Sequence, residues 1–231
     1  MLGRDTDMHE LAPGLARLQE TIRDYELRYG REPGSVALLA VSKGHPSSAI
    51  AAACAAGQRA FGENYLQEAL AKIADLTSLA IEWHFIGPLQ GNKTAEVASN
   101  FSWVHTIDRM RIAERLNKQR PADRPPLNVL IEVNVSGEAS KHGIAAEALP
   151  ALVAEVVKLP RLKLRGLMTL PAPRTDFSAQ RAAFAQLAKL ARDSAVPMDT
   201  LSMGTSDDFE AAIAEGATII RLGTALFGPR R

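Results

Sequence analysis

Short apolar runs rich in β-branched residues alternate with Ala-rich amphipathic segments along almost the whole chain. This alternation limits the fold more than any other feature, because strands joined by helices build parallel sheets. Eight runs have the length and composition of strands, and each except the last is followed by a helical segment. The predicted strands are Val36–Ser42, Arg59–Gly62, Trp83–Ile86, Trp103–Ile107, Val129–Val135, Leu164–Thr169, Thr200–Met203 and Thr218–Leu222.

Helical segments separate these strands, and one more precedes them. Residues 8–29 carry apolar side chains at helical spacing and stop at Gly30, which is typical of a helix C-terminus. The pattern predicts a closed TIM-type (β/α)8 barrel as a single domain, residues 1–231, with residues 1–30 as a leading helix packed on it. The other predicted helices lie near residues 47–56, 65–75, 93–99, 109–118, 146–158, 177–193 and 207–215.

The charge balance argues against several classes of partner. Lys and Arg number 27 and Asp and Glu 26, so the overall charge attracts the chain neither to nucleic acid nor to an anionic membrane. A small ligand is the expected partner. The single cysteine, Cys54, excludes a disulfide within the chain, and the five histidines lack the spacing of a metal site. No stretch approaches the roughly 18 apolar residues of a membrane span, and we expect a cytoplasmic protein.

Polar residues follow the predicted strands, which is where a parallel barrel places its chemistry. Lys43 directly follows the first strand, so we expect its amine in the mouth of the barrel. Burial there lowers the pKa of a lysine, and the neutral amine can attack an aldehyde. The alternative is that Lys43 reaches solvent and has no chemical role.

Two turns near the end of the chain have the features of an anion site. After the seventh strand, Gly204, Thr205 and Ser206 lead into a helix, so free backbone N–H groups and a hydroxyl are expected to face a common point. After the eighth strand, Gly223 and Thr224 repeat the glycine and the hydroxyl. Phosphate sites after these two strands recur in such barrels, and ordinary tight turns are the alternative.

A site for a phosphorylated aldehyde is expected from three features taken together. They are Lys43, the two turns after the seventh and eighth strands, which we call the phosphate cradle, and Arg221, which lies between the two turns in the sequence. Pyridoxal 5′-phosphate (PLP) is the common aldehyde of this kind, and we expect it as a Schiff base on Lys43. Arg221 does not readily lose its proton. Facing the pyridine nitrogen, it would keep that nitrogen unprotonated and the ring a weak electron sink.

Three other patterns have plainer explanations. The segment from Gly87 to Thr94 looks like a P-loop, but Asn92 stands where the second glycine must let the backbone approach a phosphate. His84 lies inside a strand, where a hydrogen-bonded core histidine is the favoured interpretation. Asp207 and Asp208 begin a predicted helix, so we expect them to stabilise its positive end rather than to act in acid–base chemistry.

A set of ordered motifs resembles the pyridoxal phosphate homeostasis proteins, the YggS or PROSC family, across about residues 10–228. The motifs are Ala40-Val41-Ser42-Lys43 with Pro46; Phe61-Gly62-Glu63-Asn64-Tyr65 with Gln67-Glu68; His84-Phe85-Ile86-Gly87 with Leu89-Gln90 and Asn92-Lys93; Val133-Asn134 with Glu138, Lys141 and Gly143; Gly166-Leu167-Met168; Leu201-Ser202-Met203-Gly204; and Arg221-Leu222-Gly223-Thr224 with Phe227-Gly228.

This resemblance implies a PLP-binding barrel of fold type III, similar to the N-terminal domain of alanine racemase. It implies PLP on Lys43 and phosphate contacts from Ser206, Gly223 and Thr224, with Arg221 facing the ring nitrogen. The full set of cofactor-binding residues expected on this basis is Lys43, Asn64, Met168, Ser206, Arg221, Gly223 and Thr224. The chain departs from the usual family pattern at Thr205 and at Gly44-His45.

The expected function is PLP homeostasis, meaning buffering or delivery of the cofactor without efficient turnover. PLP and apo PLP-dependent enzymes are the expected partners, and a monomer the expected state. The rivals are an amino-acid racemase or lyase that uses Lys43 as its base, and an aldolase that uses Lys43 without a cofactor. A racemase needs a second base, which alanine racemase takes from a tyrosine of another domain; here Tyr65 is expected to pack or to line the pocket.

Lys141 follows the fifth strand in a loop that we expect to lie over the barrel mouth. A second amine near Lys43 would allow release by transimination, which avoids waiting for hydrolysis. The hypothesis is that Lys141 accepts PLP during exchange. The alternative is a solvated loop lysine, or one paired with Glu138.

Overall fold

The computed structural model describes residues 4–138 and 142–228, and their parallel strands close into a barrel in sequence order. Each strand pairs with the next along the chain, and the first also pairs with the last, so the sheet has no free edge. The predicted TIM-type barrel is therefore confirmed. The strands are β1 (Ala37–Val41), β2 (Ala60–Glu63), β3 (Glu82–Phe85), β4 (Trp103–Ile107), β5 (Leu127–Glu132), β6 (Leu162–Met168), β7 (Thr200–Ser202) and β8 (Ile219–Leu222).

Helices form the outer layer of the barrel. Short 3-10 turns at Gly91–Lys93 and Ala146–Ala148 precede two of them. The helices are α1 (Arg4–Arg28), α2 (Ser47–Ala55), α3 (Leu66–Asp75), α4 (Thr94–Asn100), α5 (Met110–Gln119), α6 (Leu149–Val156), α7 (Phe177–Arg192), α8 (Phe209–Ala214) and α9 (Thr224–Phe227).

Two features of the fold differ from the sequence prediction. The last strand is followed by a helix, α9, whose single turn is closed by the N–H of Phe227 donating to the carbonyl of Gly223. The fifth strand was predicted to run to Val135 but ends at Glu132, because the following loop folds back beside it: the carbonyl of Glu132 accepts from the amide of Ile144, and the amide of Asn134 donates to the carbonyl of Ile144. This turn of the chain carries residue 142 back over the barrel mouth.

The leading helix is held against one side of the barrel by an apolar stripe. Leu11, Leu15, Leu18 and Ile22 recur at helical spacing and are all buried in the main core. The helix contacts α2, α8 and α9. The remaining core fills the space between the strands and their outer helices, so the strand ends are fixed by packing on both sides.

No helix among the described residues combines the length and the apolar character needed to cross a bilayer.

Candidate functional site

A cavity of about 460 Å³ opens at the C-terminal ends of the strands. Small-molecule sites commonly enclose about 300–1,000 Å³, so this space suits a ligand the size of a cofactor. The structure brings all of the predicted site residues together there, namely Lys43, Asn64, Met168, Ser206, Arg221, Gly223 and Thr224. Polar residues that also line it include His45, Thr106, Glu132, His142, Thr205 and Asp207.

Lys43 lies on the cavity wall immediately after β1 and is half-buried. The preceding residue, Ser42, is fully buried, and its amide donates to the carbonyl of Gly62 on the neighbouring strand. The backbone just before Lys43 is therefore still hydrogen-bonded to the sheet, which fixes where the lysine side chain begins. This position agrees with the prediction of an amine in the barrel mouth.

The turn after β7 forms another part of the wall. Free backbone N–H groups were predicted for this turn, but the amide of Thr205 is not one of them, because it donates to Oδ1 of Asp208 over 2.6 Å; the Thr205 hydroxyl donates to the same oxygen. Asp208 stands at the N-cap of α8, yet its side chain closes the turn and makes no capping bond. Ser206, inside this closed turn, lines the cavity.

The turn after β8 approaches β1 closely. A Cβ atom on Gly223 would lie 3.1 Å from the carbonyl oxygen of Val41, which is tighter than ordinary van der Waals contact. A glycine therefore lets the start of α9 sit beside Lys43, and the hydroxyl residue Thr224 follows at the cavity wall. Two hydroxyl-bearing turns and the lysine thus surround one space.

Arg221 is buried in β8 and is held at two points. Its NH1 donates to Oγ of Ser202 and its NH2 to the carbonyl of Thr169, each over 2.9 Å. Burial lowers the pKa of Arg221 to about 10, against the opposing charges of Asp208 and Glu132. The guanidinium therefore remains a fixed cation at neutral pH.

A row of buried hydrogen bonds connects Arg221 to the opposite end of the barrel. Nδ1 of His105 lies 2.9 Å from Oγ of Ser202, its Nε2 lies 2.9 Å from Nδ1 of His84, and Nε2 of His84 lies 2.8 Å from Oε1 of Glu82. Burial lowers the pKa of both histidines, so each imidazole is neutral. The prediction of a hydrogen-bonded core histidine at position 84 is confirmed.

The groups at the two ends of this row determine which atom donates in each of its hydrogen bonds. The hydrogen bond from His84 lowers the pKa of Glu82, so that carboxylate is ionised and only accepts. At the other end an arginine only donates. His84 must therefore donate from Nε2 to Glu82 and accept at Nδ1 from Nε2 of His105. His105 in turn accepts at Nδ1 from the Ser202 hydroxyl, and the Ser202 oxygen accepts from Arg221.

Glu132 is a site residue that the sequence analysis missed. It ends β5, is buried, and lines the cavity. Burial raises its pKa to about 7, repulsion from Asp108 adds to the increase, and Arg221 opposes it. Its signal in the sequence was a lone carboxylate within an apolar strand, Val129 to Val133.

Asn64 has a buried polar atom that no described residue satisfies. Its Oδ1 is shielded from solvent and has no hydrogen-bond partner among the described residues. The backbone there is tightly fixed, since a Cβ atom on Gly87 would fall 2.1 Å from the carbonyl oxygen of Asn64. A buried amide without its full set of partners is costly, and it suits a cavity that receives a polar ligand.

Other residues singled out in the sequence lie elsewhere. Tyr65 was expected to pack or to line the pocket, but it is 59% exposed and is not among the lining residues, because it precedes α3 on the outer surface. Lys93 ends the 3-10 turn that precedes α4 and does not line the cavity. Lys141 lies outside the described residues, although His142 beside it does line the cavity. No described group of three or more His, Cys, Asp or Glu residues has the arrangement of a metal site.

Comparison with known proteins gives one consistent result. Residues 15–231 match the family described as alanine racemase, N-terminal domain. The pyridoxal phosphate homeostasis protein of Pseudomonas aeruginosa is 57% identical over 223 residues, covering 96% of this chain and 97% of that protein. The protein of the same name from Escherichia coli is 52% identical over 229 residues, covering 96% and 98%. The structure of PipY from Synechococcus elongatus with PLP bound has a TM-score of 0.81 and 38% identity, covering 94% of this chain and 100% of that one.

Proposed function

This chain belongs to the family of the pyridoxal phosphate homeostasis proteins, and from that premise we propose that it binds PLP in the barrel mouth and serves as a cytoplasmic reserve or donor of the cofactor. One observation carries the proposal. A lysine, a fixed arginine and two hydroxyl-bearing turns line a single cavity of cofactor size. The relative PipY was crystallised with PLP bound.

The residues of the cavity match the chemistry of PLP group by group. Ser206 and Thr224 offer hydroxyl donors to a phosphate, beside the amide of a helix start at Gly223. Asn64 offers an amide with an unsatisfied atom to a polar ring substituent. Met168 contributes apolar surface to the wall. PLP supplies an aldehyde and a conjugated ring when it is bound.

Lys43 is proposed to hold the cofactor covalently. Its neutral amine adds to the aldehyde carbon, and the carbonyl oxygen leaves as water with the two amine hydrogens, so that a C=N bond replaces C=O and C–NH₂ without any oxidation. The reaction is reversible by water or by another amine. This reversibility suits a protein that stores a reactive aldehyde and gives it up again.

Arg221 favours storage over catalysis. A guanidinium that faces the pyridine nitrogen keeps it unprotonated, and an unprotonated ring withdraws electrons weakly. The hydrogen bonds to Ser202 and Thr169 fix the guanidinium in place. We therefore propose a protein without efficient turnover. A monomer is proposed separately as its state in solution.

The racemase or lyase alternative lacks an evident second base of the racemase type. Among the described residues that line the cavity there is no tyrosine, and Tyr65 faces solvent. The cofactor-free aldolase alternative does not account for the relatives, which are named for PLP. Every observation that would support one of these alternatives is explained equally well by a reserve or donor of PLP.

The test of this function is transfer of PLP to another protein. The loaded protein is mixed with an apo PLP-dependent enzyme, and the recovered activity is compared with that given by the same total concentration of free PLP. Saturable transfer supports the donor function, whereas permanent retention of PLP would overturn it. Lys141→Ala at equal loading tests the exchange hypothesis. The matched control is Lys158→Ala, which changes an exposed lysine just after α6.

A further inference from the structure

A buried cluster of charges lies directly behind Lys43, outside the cavity lining. Lys72 of α3 donates from Nζ to Oε1 of Glu63 over 2.7 Å and to Oε1 of Glu68 over 2.5 Å. Glu63 and Lys72 are buried, and Glu68 is partly exposed. Nothing in the proposed binding of PLP uses these three side chains.

The cluster is hydrogen-bonded to the backbone on both sides of Lys43. Lys72 also donates to the carbonyl oxygen of Ser42 over 2.7 Å, and the Ser42 hydroxyl donates to Glu63 over 2.6 Å. On the other side, the amide of Gly44 donates to Oε1 of Glu68 over 2.6 Å. The residues before and after the lysine are therefore tied to the same group of charges.

Stability alone is a poor explanation for such a cluster. Removing two or three charged groups from water costs several kcal/mol for each ion. Well-packed apolar residues in the same place often give a folded protein of equal or greater stability. Oε2 of Glu63 has no hydrogen-bond partner among the described residues. Burial raises the pKa of Glu63, against the hydrogen bonds from Lys72 and Ser42. What the cluster provides is a fixed geometry at one place in the chain.

We propose that Lys72, Glu63 and Glu68 are positioning residues that hold the Ser42-to-Gly44 backbone so that the Lys43 amine meets the aldehyde carbon of PLP. The proposal rests on the proposed function, since it assigns the cluster a task in forming the C=N bond. The cluster acts through the backbone of the lysine and does not touch the cofactor. A shift of about 1 Å in a reacting group slows a reaction on the order of a hundredfold, so modest loosening has a measurable effect.

The experiment separates covalent capture from binding by using two ligands. Pyridoxal 5′-phosphate has the aldehyde, whereas pyridoxine 5′-phosphate has an alcohol in its place and cannot form the C=N bond. The variant is Glu68→Gln, which keeps the shape of the side chain, and the control is Glu96→Gln at an exposed position of α4. Lys72→Met is a second, more severe variant.

The expected result is a selective loss. Glu68→Gln should slow formation of the C=N bond on the order of tenfold, while the affinity for pyridoxine 5′-phosphate stays within about twofold of wild type. The rate is measured where it no longer rises with pH. In that pH range the Lys43 amine is already neutral, so a slower rate reports a change in geometry. Loss of the negative charge of Glu68 alone would lower the pKa of Lys43, and that would shift only the midpoint of the curve of rate against pH.

Two outcomes overturn the positioning role. An equal loss for both ligands would mean that the cluster supports the cavity in general, and an unchanged rate with PLP would mean that it does nothing for Lys43. If Lys72→Met fails to fold, Glu68→Gln decides alone. Failure of the proposed function looks different, because wild type itself would then carry no PLP on Lys43.

Discussion

Arg221 donates a hydrogen bond to Oγ of Ser202 across 2.9 Å, and the same hydroxyl lies 2.9 Å from Nδ1 of His105. Ser202→Ala removes a partner from a buried guanidinium and from a buried imidazole at once. We predict a loss of about 1–3 kcal/mol in the free energy of unfolding, measured by urea denaturation without ligand. Ser178→Ala, at an exposed position of α7, should change it by less than about 0.5 kcal/mol. Equal values for the two variants would contradict the hydrogen-bonded row.

The phosphate cradle is tested by removing one hydroxyl at a time. A charge-assisted hydrogen bond contributes about 1.5–3 kcal/mol, so Ser206→Ala and Thr224→Val should each weaken PLP binding roughly ten- to a hundredfold. Lys43 remains available to the aldehyde in both variants. The dissociation constants are measured by titration with PLP at fixed salt. Unchanged affinity in both would place the phosphate somewhere else.

The barrel was predictable from sequence because each strand is a short apolar run between amphipathic helices. The range Trp103–Ile107 was predicted to the residue, and the ends of β1, β7 and β8 placed Lys43 and both turns correctly. The helix α9 was missed because four residues carry no periodicity. Tyr65 was misplaced because a residue between a strand and a helix can face either the mouth or the outer surface.

The buried hydrogen bond of His84 was predicted, but its partners and the rest of the polar interior were not predictable, because barrel closure assembles them from distant strands. His105 and Ser202 are 97 residues apart in the chain, and each looks like an isolated polar residue in an apolar run. Lys72 was equally hidden. It lies on an amphipathic helix, where a lysine usually faces solvent, and only the structure shows that it is buried and donates to Glu63 of β2.

The stability of the ligand-free protein should depend on pH through Glu132. Its pKa is raised from 4.5 to about 7, so between these values the folded state holds a proton that the unfolded chain has lost. The stabilisation is complete below the lower value and is lost as pH rises through the upper one. The loss is on the order of 3 kcal/mol.

Glu132→Gln removes this titration. The difference in unfolding free energy between wild type and variant should therefore change by that amount between about pH 5 and about pH 8, with the wild type losing more stability. Glu147→Gln, at an exposed position, controls for the general effect of a lost carboxylate. A constant difference between Glu132→Gln and wild type would show that Glu132 is ionised throughout.

Amino-acid turnover should be no faster than with free PLP. We proposed that Arg221 holds the ring nitrogen unprotonated, and no tyrosine is among the described cavity-lining residues, so on this proposal proton exchange at the α-carbon has little assistance. Racemisation of alanine and serine is followed by chiral chromatography, and deuterium exchange at the α-carbon by NMR. A rate well above that of free PLP, abolished by Lys43→Ala, would favour the racemase alternative.

The central claim is that Lys43 carries PLP, and borohydride reduction tests it most directly. Reduction converts the C=N bond to a stable amine, after which the modified peptide is located by mass spectrometry. We predict that the phosphopyridoxyl group is found on Lys43 in the wild-type protein, and that Lys43→Ala loses both this adduct and the visible absorption band. An adduct on a different lysine in the wild-type protein, or an unchanged band in Lys43→Ala, would contradict the account.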